Sequence, residues 1–277
     1  MSHAKKSRFP LLMTFLVFGY AFLYGPILSL IVYSFNESRL VTVWGGWSTK
    51  WYGELLQNEQ ILSAAWLSLK IAAISASFAV VLGTLAAMAL VRFKRFRGRS
   101  MLEIMVAAPM VMPEVIIGLS LLLLFMAMDD ILGWPEGRGQ TTIVLAHMTF
   151  AMAYVTVVVR SRLAHLDNSL EEAAMDLGAR PLKVFFAITL PIIAPALVAG
   201  WLLAFTLSLD DLVVASFVSG PGATTLPMVV YSSVRLGVSP QINALATIIV
   251  VLVSLAVLFA GWIMVRQEKQ KQRENSQ

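Results

Sequence analysis

The chain has 277 residues, of which 58% are hydrophobic and 13% charged, and 21 Lys and Arg against 16 Asp and Glu leave a net charge of +5. Soluble domains carry about 25% charged residues, so this composition excludes an ordinary soluble enzyme and describes one integral membrane domain. The chain has no cysteine, which excludes disulfides and thiolate metal sites, and His3, His147 and His165 are too scattered for metal-ligand spacing.

Residues 1–8 carry Lys5, Lys6 and Arg8 and precede a first apolar run at 9–35, interrupted at Gly25-Pro26. This run starts like a signal peptide, but it is too long and lacks a small-residue cleavage site, so a retained first span is expected. Residues 36–60 are polar and aromatic, and Trp44, Trp47, Trp51 and Tyr52 suit a membrane interface. The second span is expected at 61–91, interrupted only by Lys70, before a basic loop at 92–100 with Arg92, Lys94, Arg95, Arg97 and Arg99. The third, 101–128, holds Pro109 and Pro113 and should kink or unwind there. A short acidic loop, 129–140, leads to a fourth span at 141–159, and a polar loop fills 160–191. The fifth span, 192–218, contains Asp210 and Asp211; Gly220-Pro221-Gly222 then reads as a turn before a mixed segment at 226–235. The sixth span is expected at 241–265, followed by a charged tail at 266–277. Each run reaches the roughly 20 residues that a spanning helix needs. No internal repeat is visible.

The basic residues orient the chain. Apart from Arg39, Lys50, Lys70, Arg138 and Arg235, all lie in the N-terminus, the loops 92–100 and 160–191, or the tail. An even number of spans puts both termini on one side, and the positive-inside rule makes that side cytoplasmic. The expected organisation is therefore a cytoplasmic terminus at 1–8, a six-span domain at 9–265 and a cytoplasmic tail at 266–277.

Within the loop 160–191, the stretch from Ser169 to Pro191 reads as two short helices with a sharp break. Ser169 is placed to cap the first, with Glu172 three residues on completing a capping box. Leu170, Ala173, Ala174 and Leu177 form one apolar stripe, with Glu171, Glu172 and Asp176 outside it. Gly178 suits the left-handed position after a helix end, and Pro181 the first turn of the next helix. An amphipathic helix in a loop between spans has no lipid face to fill and is built to dock on another protein.

Glu172-Ala173-Ala174, then Gly178, Ile188 and Leu190-Pro191, reproduce at matching spacing the EAA signature of bacterial ABC-importer permeases. The chain resembles that family: an all-α membrane protein with six transmembrane helices of the MetI-like type and a cytoplasmic coupling helix. The stretches LVTVWGGWSTKWYGELL and GWLLAFTLSLDDLVVASFVSGPGATTLPM extend the likeness to the polyamine permeases of this family, putrescine above all and spermidine next. The resemblance implies a second homologous permease beside this one, two ATPase subunits below and a periplasmic polyamine-binding protein above. It also implies an inner-membrane location and alternating access driven by ATP.

The chain carries no nucleotide site of its own: Gly220 to Thr225 has glycines but not the lysine of a P-loop. ATP and magnesium are therefore expected on partner subunits, with no cofactor here, no catalytic constellation and no role for nucleic acid. An ion-coupled secondary transporter would also use buried carboxylates and broken helices, but the signature loop and the lack of an inverted repeat oppose it.

The candidate substrate residues are the ionisable groups within spans. A carboxylate at a helix centre costs about 2.5–3.5 kcal/mol, so it calls for a partner or a wet cavity. Glu114 lies roughly 20 Å into its expected span, near the midplane, and either faces the pathway or pairs with Lys70. Asp210 and Asp211 diverge by about 100° on a regular helix. Either the helix breaks, or one faces the pathway and the other a partner; capping and backbone bonding are the plainer roles. Trp201 and Phe205, at i and i+4, share a face and either wall a cation path or simply pack.

Overall fold

The computed structural model of the chain describes residues 8–40, 43–93, 95–167, 169–236 and 239–274. Lys5, Lys6 and Lys94, which contribute to the charge asymmetry, lie outside them. The described residues are helical, with no strand among them beyond one antiparallel bridge between Asn36 and Trp47. Among the described residues, five helices are long and apolar enough to cross a membrane: Met13–Tyr33, Glu59–Arg92, Glu114–Leu132, Gln140–Ala164 and Pro181–Asp210. Another helix, Pro240–Glu274, has 35 residues, of which Pro240–Leu255 form its described apolar part.

The chain divides into two units, Met1–Leu62 with Val230–Gln277, and Ser63–Val229. In the first, α1 (Arg8–Tyr33) and α2 (Lys50–Leu56) both pack on α12 (Pro240–Glu274). The interruption expected at Gly25-Pro26 does not occur, because α1 continues through Pro26. Proline removes one N–H and crowds one carbonyl, a smaller cost in lipid than orphaning the several backbone groups of an opened turn. Between α1 and α2 the chain folds around Asn36, which is fully buried. Its amide donates to the Val43 carbonyl at 2.8 Å and accepts the Gly45 N–H at 2.8 Å, while the Trp51 indole donates to its main-chain oxygen at 2.6 Å. Trp44 and Trp47 meet edge to face beside it, 5.0 Å apart.

The second unit is built on three helices: α3 (Glu59–Arg92, from Ser63 onward), α6 (Gln140–Ala164) and α9 (Leu190–Asp210). Their shared core consists largely of small residues, including Ala76, Ala79, Ala87, Ala151 and Ala204, closed by Val155, Val159 and Ile193. Lipid is as apolar as leucine, so close backbone approach rather than burial of bulk holds such helices together. Val155 shows how close the approach is: an added Cβ would stand 2.8 Å from its Cγ1 at Gly83 and 3.3 Å at Gly200.

The span expected at 101–128 is two helices, α4 (Arg99–Val111) and α5 (Glu114–Leu132). Met112 and Pro113 between them are extended, with ψ of 141° and 136°. The proline ring excludes its predecessor from the helical region, and Pro113 has no N–H to continue the ladder. Pro109, by contrast, stays inside α4.

The fifth span departs from 192–218 at both ends. It begins with α8 (Pro181–Val184) and a π-helical turn, Phe185–Thr189, and runs into α9 without a gap. In the wide turn Leu190 N–H reaches back to the Phe185 carbonyl, just before Pro191, which has no N–H to offer. At the other end α9 stops at Asp210: Asp211 is extended, with ψ of 124°, and α10 (Val213–Val218) starts separately. α10 packs against α5 and α6. Beyond it Ala223 N–H bonds the Gly220 carbonyl at 3.0 Å, with Gly222 left-handed at φ +75°, so Gly220-Pro221-Gly222 is a turn. The mixed segment after it is helical, as α11 (Leu226–Leu236).

Candidate functional site

The two broken helices meet at one cavity of about 230 Å³. Its lining includes Pro109, Glu114, Phe150, Tyr154, Asp210 and Asp211. Backbone at membrane depth leaves the helical form only where protein buries it or water reaches it, and here both breaks border the same space. Glu114 is the first residue of α5 and is exposed there, not part-way along a continuous span. The single span expected over 101–128 is thereby corrected: Glu114 opens a second helix after the break at Pro113. Among the described residues no ion pair joins Glu114 to Lys70. The partial positive charge of the α5 N-terminus instead favours a carboxylate at that position.

Asp210 and Asp211 are separated by the break between them. Asp211 is spent on structure. Its two carboxylate oxygens accept the N–H groups of Val214 at 3.3 Å and Ala215 at 2.7 Å, capping α10. One of them also meets His147 Nε2 at 3.1 Å, and His147 Nδ1 meets Ser208 Oγ at 2.6 Å. The His147 and Asp211 side chains are only 1% and 6% exposed. Asp210 is exposed on the cavity wall. His147 is the residue that sequence reasoning missed. Its one visible signal was a lone imidazole in an otherwise apolar span, which metal spacing alone could not interpret.

Trp201 and Phe205 do share a face. Their rings stack at 5.1 Å with 15° between planes, and the Trp201 indole donates to Ser77 Oγ at 3.1 Å. They lie against the core of α3, α6 and α9, and neither lines the cavity of Glu114 and Asp210.

The second candidate surface is the signature loop. α7 (Ser169–Asp176) ends in a Schellman motif: Ala179 N–H bonds the Ala174 carbonyl at 3.1 Å and Gly178 N–H that of Met175 at 2.9 Å. Gly178 takes φ +86°, and Pro181 opens α8, as the sequence pattern predicts. The cap differs. Ser169 is already helical, and Asp167 Oδ1 accepts its N–H at 2.9 Å. These bonds from Ser169 hold the Asp167 carboxyl below its ordinary pKa. An aspartate two residues earlier thus takes the role expected of the serine.

The two adjacent glutamates differ in exposure and in partners. Glu172 is exposed, whereas Glu171 Oε1 meets Arg92 Nη2 at 2.5 Å and accepts the Thr189 hydroxyl at 2.6 Å. Leu177, 90% exposed, and Leu182, 74% exposed, leave apolar surface on either side of the Gly178 turn. Glu103 pairs with Arg99 at 3.3 Å and lies 3.8 Å from Arg160.

This arrangement of stacked and broken membrane helices is one that solved structures share. A chain of a bacterial ABC transporter that imports the acidic polysaccharide alginate superposes with a TM-score of 0.71 at 18% identity, covering 94% of this chain and 96% of that one. A chain of the MetNI methionine ABC transporter gives 0.59 at 18% identity, covering 74% and 94%. The family model for the binding-protein-dependent transport system inner membrane component matches residues 79–273, and the chain belongs to that family. It is similar to the putrescine transport system permease protein PotI of Escherichia coli K12, with 61% identity over 274 residues, 99% of this chain and 98% of the relative. The spermidine/putrescine permease protein PotC of the same strain is 45% identical over 249 residues, 90% of this chain and 91% of the relative. The protein is thus an ABC-importer permease, a transport component and not an enzyme.

Proposed function

We propose that this permease carries polyamines, with putrescine as its cargo. The observation that carries the choice is the 61% identity to the putrescine permease along nearly the whole chain, against 45% to the spermidine/putrescine one. The cavity supports it chemically: a diammonium cation wants carboxylates, and Glu114 and Asp210 share one wall with Tyr154 and Phe150. In this reading Glu114 and Asp210 receive the amines, Asp211 holds the broken helix that aims Asp210, and Phe205 and Trp201 form an aromatic stretch about 7 to 14 Å back along α9.

The loop 160–191 is the site of ATPase docking. Glu172, Ala173, Ala174 and Gly178 form its capped helix and turn, and Ile188, Leu190 and Pro191 its passage into the membrane. The exposed Leu177 and Leu182 support this, since apolar surface on a polar loop calls for a protein partner. The basic loops put this face and both termini in the cytoplasm, around a membrane domain at 9–265. The assembly comprises a second homologous permease, two ATPase subunits that bind ATP and magnesium, and a periplasmic polyamine-binding protein.

Purified complex in vesicles, supplied with the binding protein, tests the reading. Putrescine should stimulate ATP hydrolysis and enter only while ATP is hydrolysed. Asp210→Asn should raise the KM for import about tenfold or more, the loss of one charge-assisted contact, with assembly intact. Import without hydrolysis would refute the ATP-driven reading, and an unchanged KM in Asp210→Asn and Glu114→Gln would remove the cavity from the pathway.

A further inference from the structure

We propose that Glu171, the residue before the signature triplet, is the positioning residue through which movement of the docking helix enters the membrane helices. The inference rests on the docking reading above and adds a specific linkage to it. A single carboxylate oxygen of Glu171 holds two membrane elements at once: Arg92, the last residue of α3, and Thr189, the last residue of the wide turn at the foot of α9. Both are charge-assisted bonds, the stronger kind. The Arg92 and Glu171 side chains are 19% and 17% exposed, and Thr189 is buried at 2%. Solvent screening is therefore weaker than at an open surface pair.

The two gripped elements lead to different places. α3 and α9 both pack against α6 through the small-residue core, so a displacement of either is felt there. α9 then runs 21 residues, about 30 Å, and ends at Asp210 on the cavity wall. Glu171 thus holds one end of the helix whose other end bears a substrate carboxylate. The wide turn that ends at Thr189 bonds five residues back rather than four, a geometry rare in helices and frequent at functional sites. It lets the foot of α9 change register without unwinding the span. Glu172, one residue on and exposed, is left to meet the partner. Neighbouring glutamates on α7 thereby divide the labour: one faces the ATPase, the other grips the chain's own helices.

The test compares ATP hydrolysed per putrescine imported, measured in vesicles with equal amounts of assembled complex. Glu171→Gln keeps the size and an acceptor for Thr189 but removes the charge that holds Arg92, and it should raise the ratio about fivefold or more. Thr189→Val cuts only the arm to α9 and should raise it as well. The charge exchange Arg92→Glu with Glu171→Arg should bring the ratio back towards that of the native protein. A native ratio in both single variants, or a loss confined to the yield of assembled complex, would overturn the proposal. Import by the native complex without any hydrolysis would instead refute the docking reading on which it stands.

Discussion

Asp210 and Asp211 are chemically identical neighbours with opposite environments, and substitution should separate them. Asp211→Ala removes the cap of α10 and leaves the buried His147 without its acceptor, a cost of about 1–3 kcal/mol. Its complex should melt several degrees lower, whereas Asp210→Asn should melt with the native complex and differ in KM. Equal melting temperatures for Asp211→Ala and the native complex would contradict the capping role. Gly178 allows a similar separation. A Cβ there would meet nothing within 4 Å, so Gly178→Ala carries only the left-handed backbone cost of about 1–2 kcal/mol. Gly178→Asp adds a charge between the exposed Leu177 and Leu182, and should abolish import while the complex still hydrolyses ATP. Import at the native rate by Gly178→Asp would show that this face does not dock. Gly178 was legible because one backbone conformation demands one residue type. The division between Glu171 and Glu172 was not, since both lie outside the apolar stripe and only the neighbouring α3 and π-turn tell them apart.

At the scale of helices, prolines were read well where they break the chain and poorly where they do not. Pro113 and Pro26 look alike in sequence, but only Pro113 meets a site where unwound backbone borders a cavity. Span limits were also hard to read: in runs that are apolar on every side, periodicity carries no information about where a helix stops. Hence the continuity of the helix from Pro181 into the fifth span went unread, and the break after Asp210 was only one of the alternatives. The break at Pro113 has its own test. With proline gone, Met112 can re-enter the helical region. The chain has no native cysteine, so a single Met112→Cys reports cleanly on exposure. Adding Pro113→Ala should slow its labelling by a water-soluble thiol reagent, as α4 and α5 join and the cavity wall closes. Equal labelling with and without the proline would show that Pro113 does not hold the break open.

For the whole molecule, composition and charge distribution carried most of the reading. Few charges and long apolar runs announced a membrane domain, and the spacing from Glu172 to Pro191 announced the family that the model match at 79–273 bears out. What stayed hidden was the convergence of distant breaks. Glu114 and Asp210 are almost a hundred positions apart, and no local pattern says that they share a wall.

Val155, between the bare backbones of Gly83 and Gly200, has a mechanical consequence. A stiff, branched side chain flanked by two smooth surfaces acts as an axle rather than a bolt. Helices that interdigitate must unlock before they slide, whereas α3 and α9 present no side chain to Val155 at Gly83 and Gly200, so no interlock is built at this point. A methyl group at Gly83 would have no room beside Val155 or the Met152 carbonyl and would wedge α3 away from α6, at a place outside the cavity of Glu114 and Asp210.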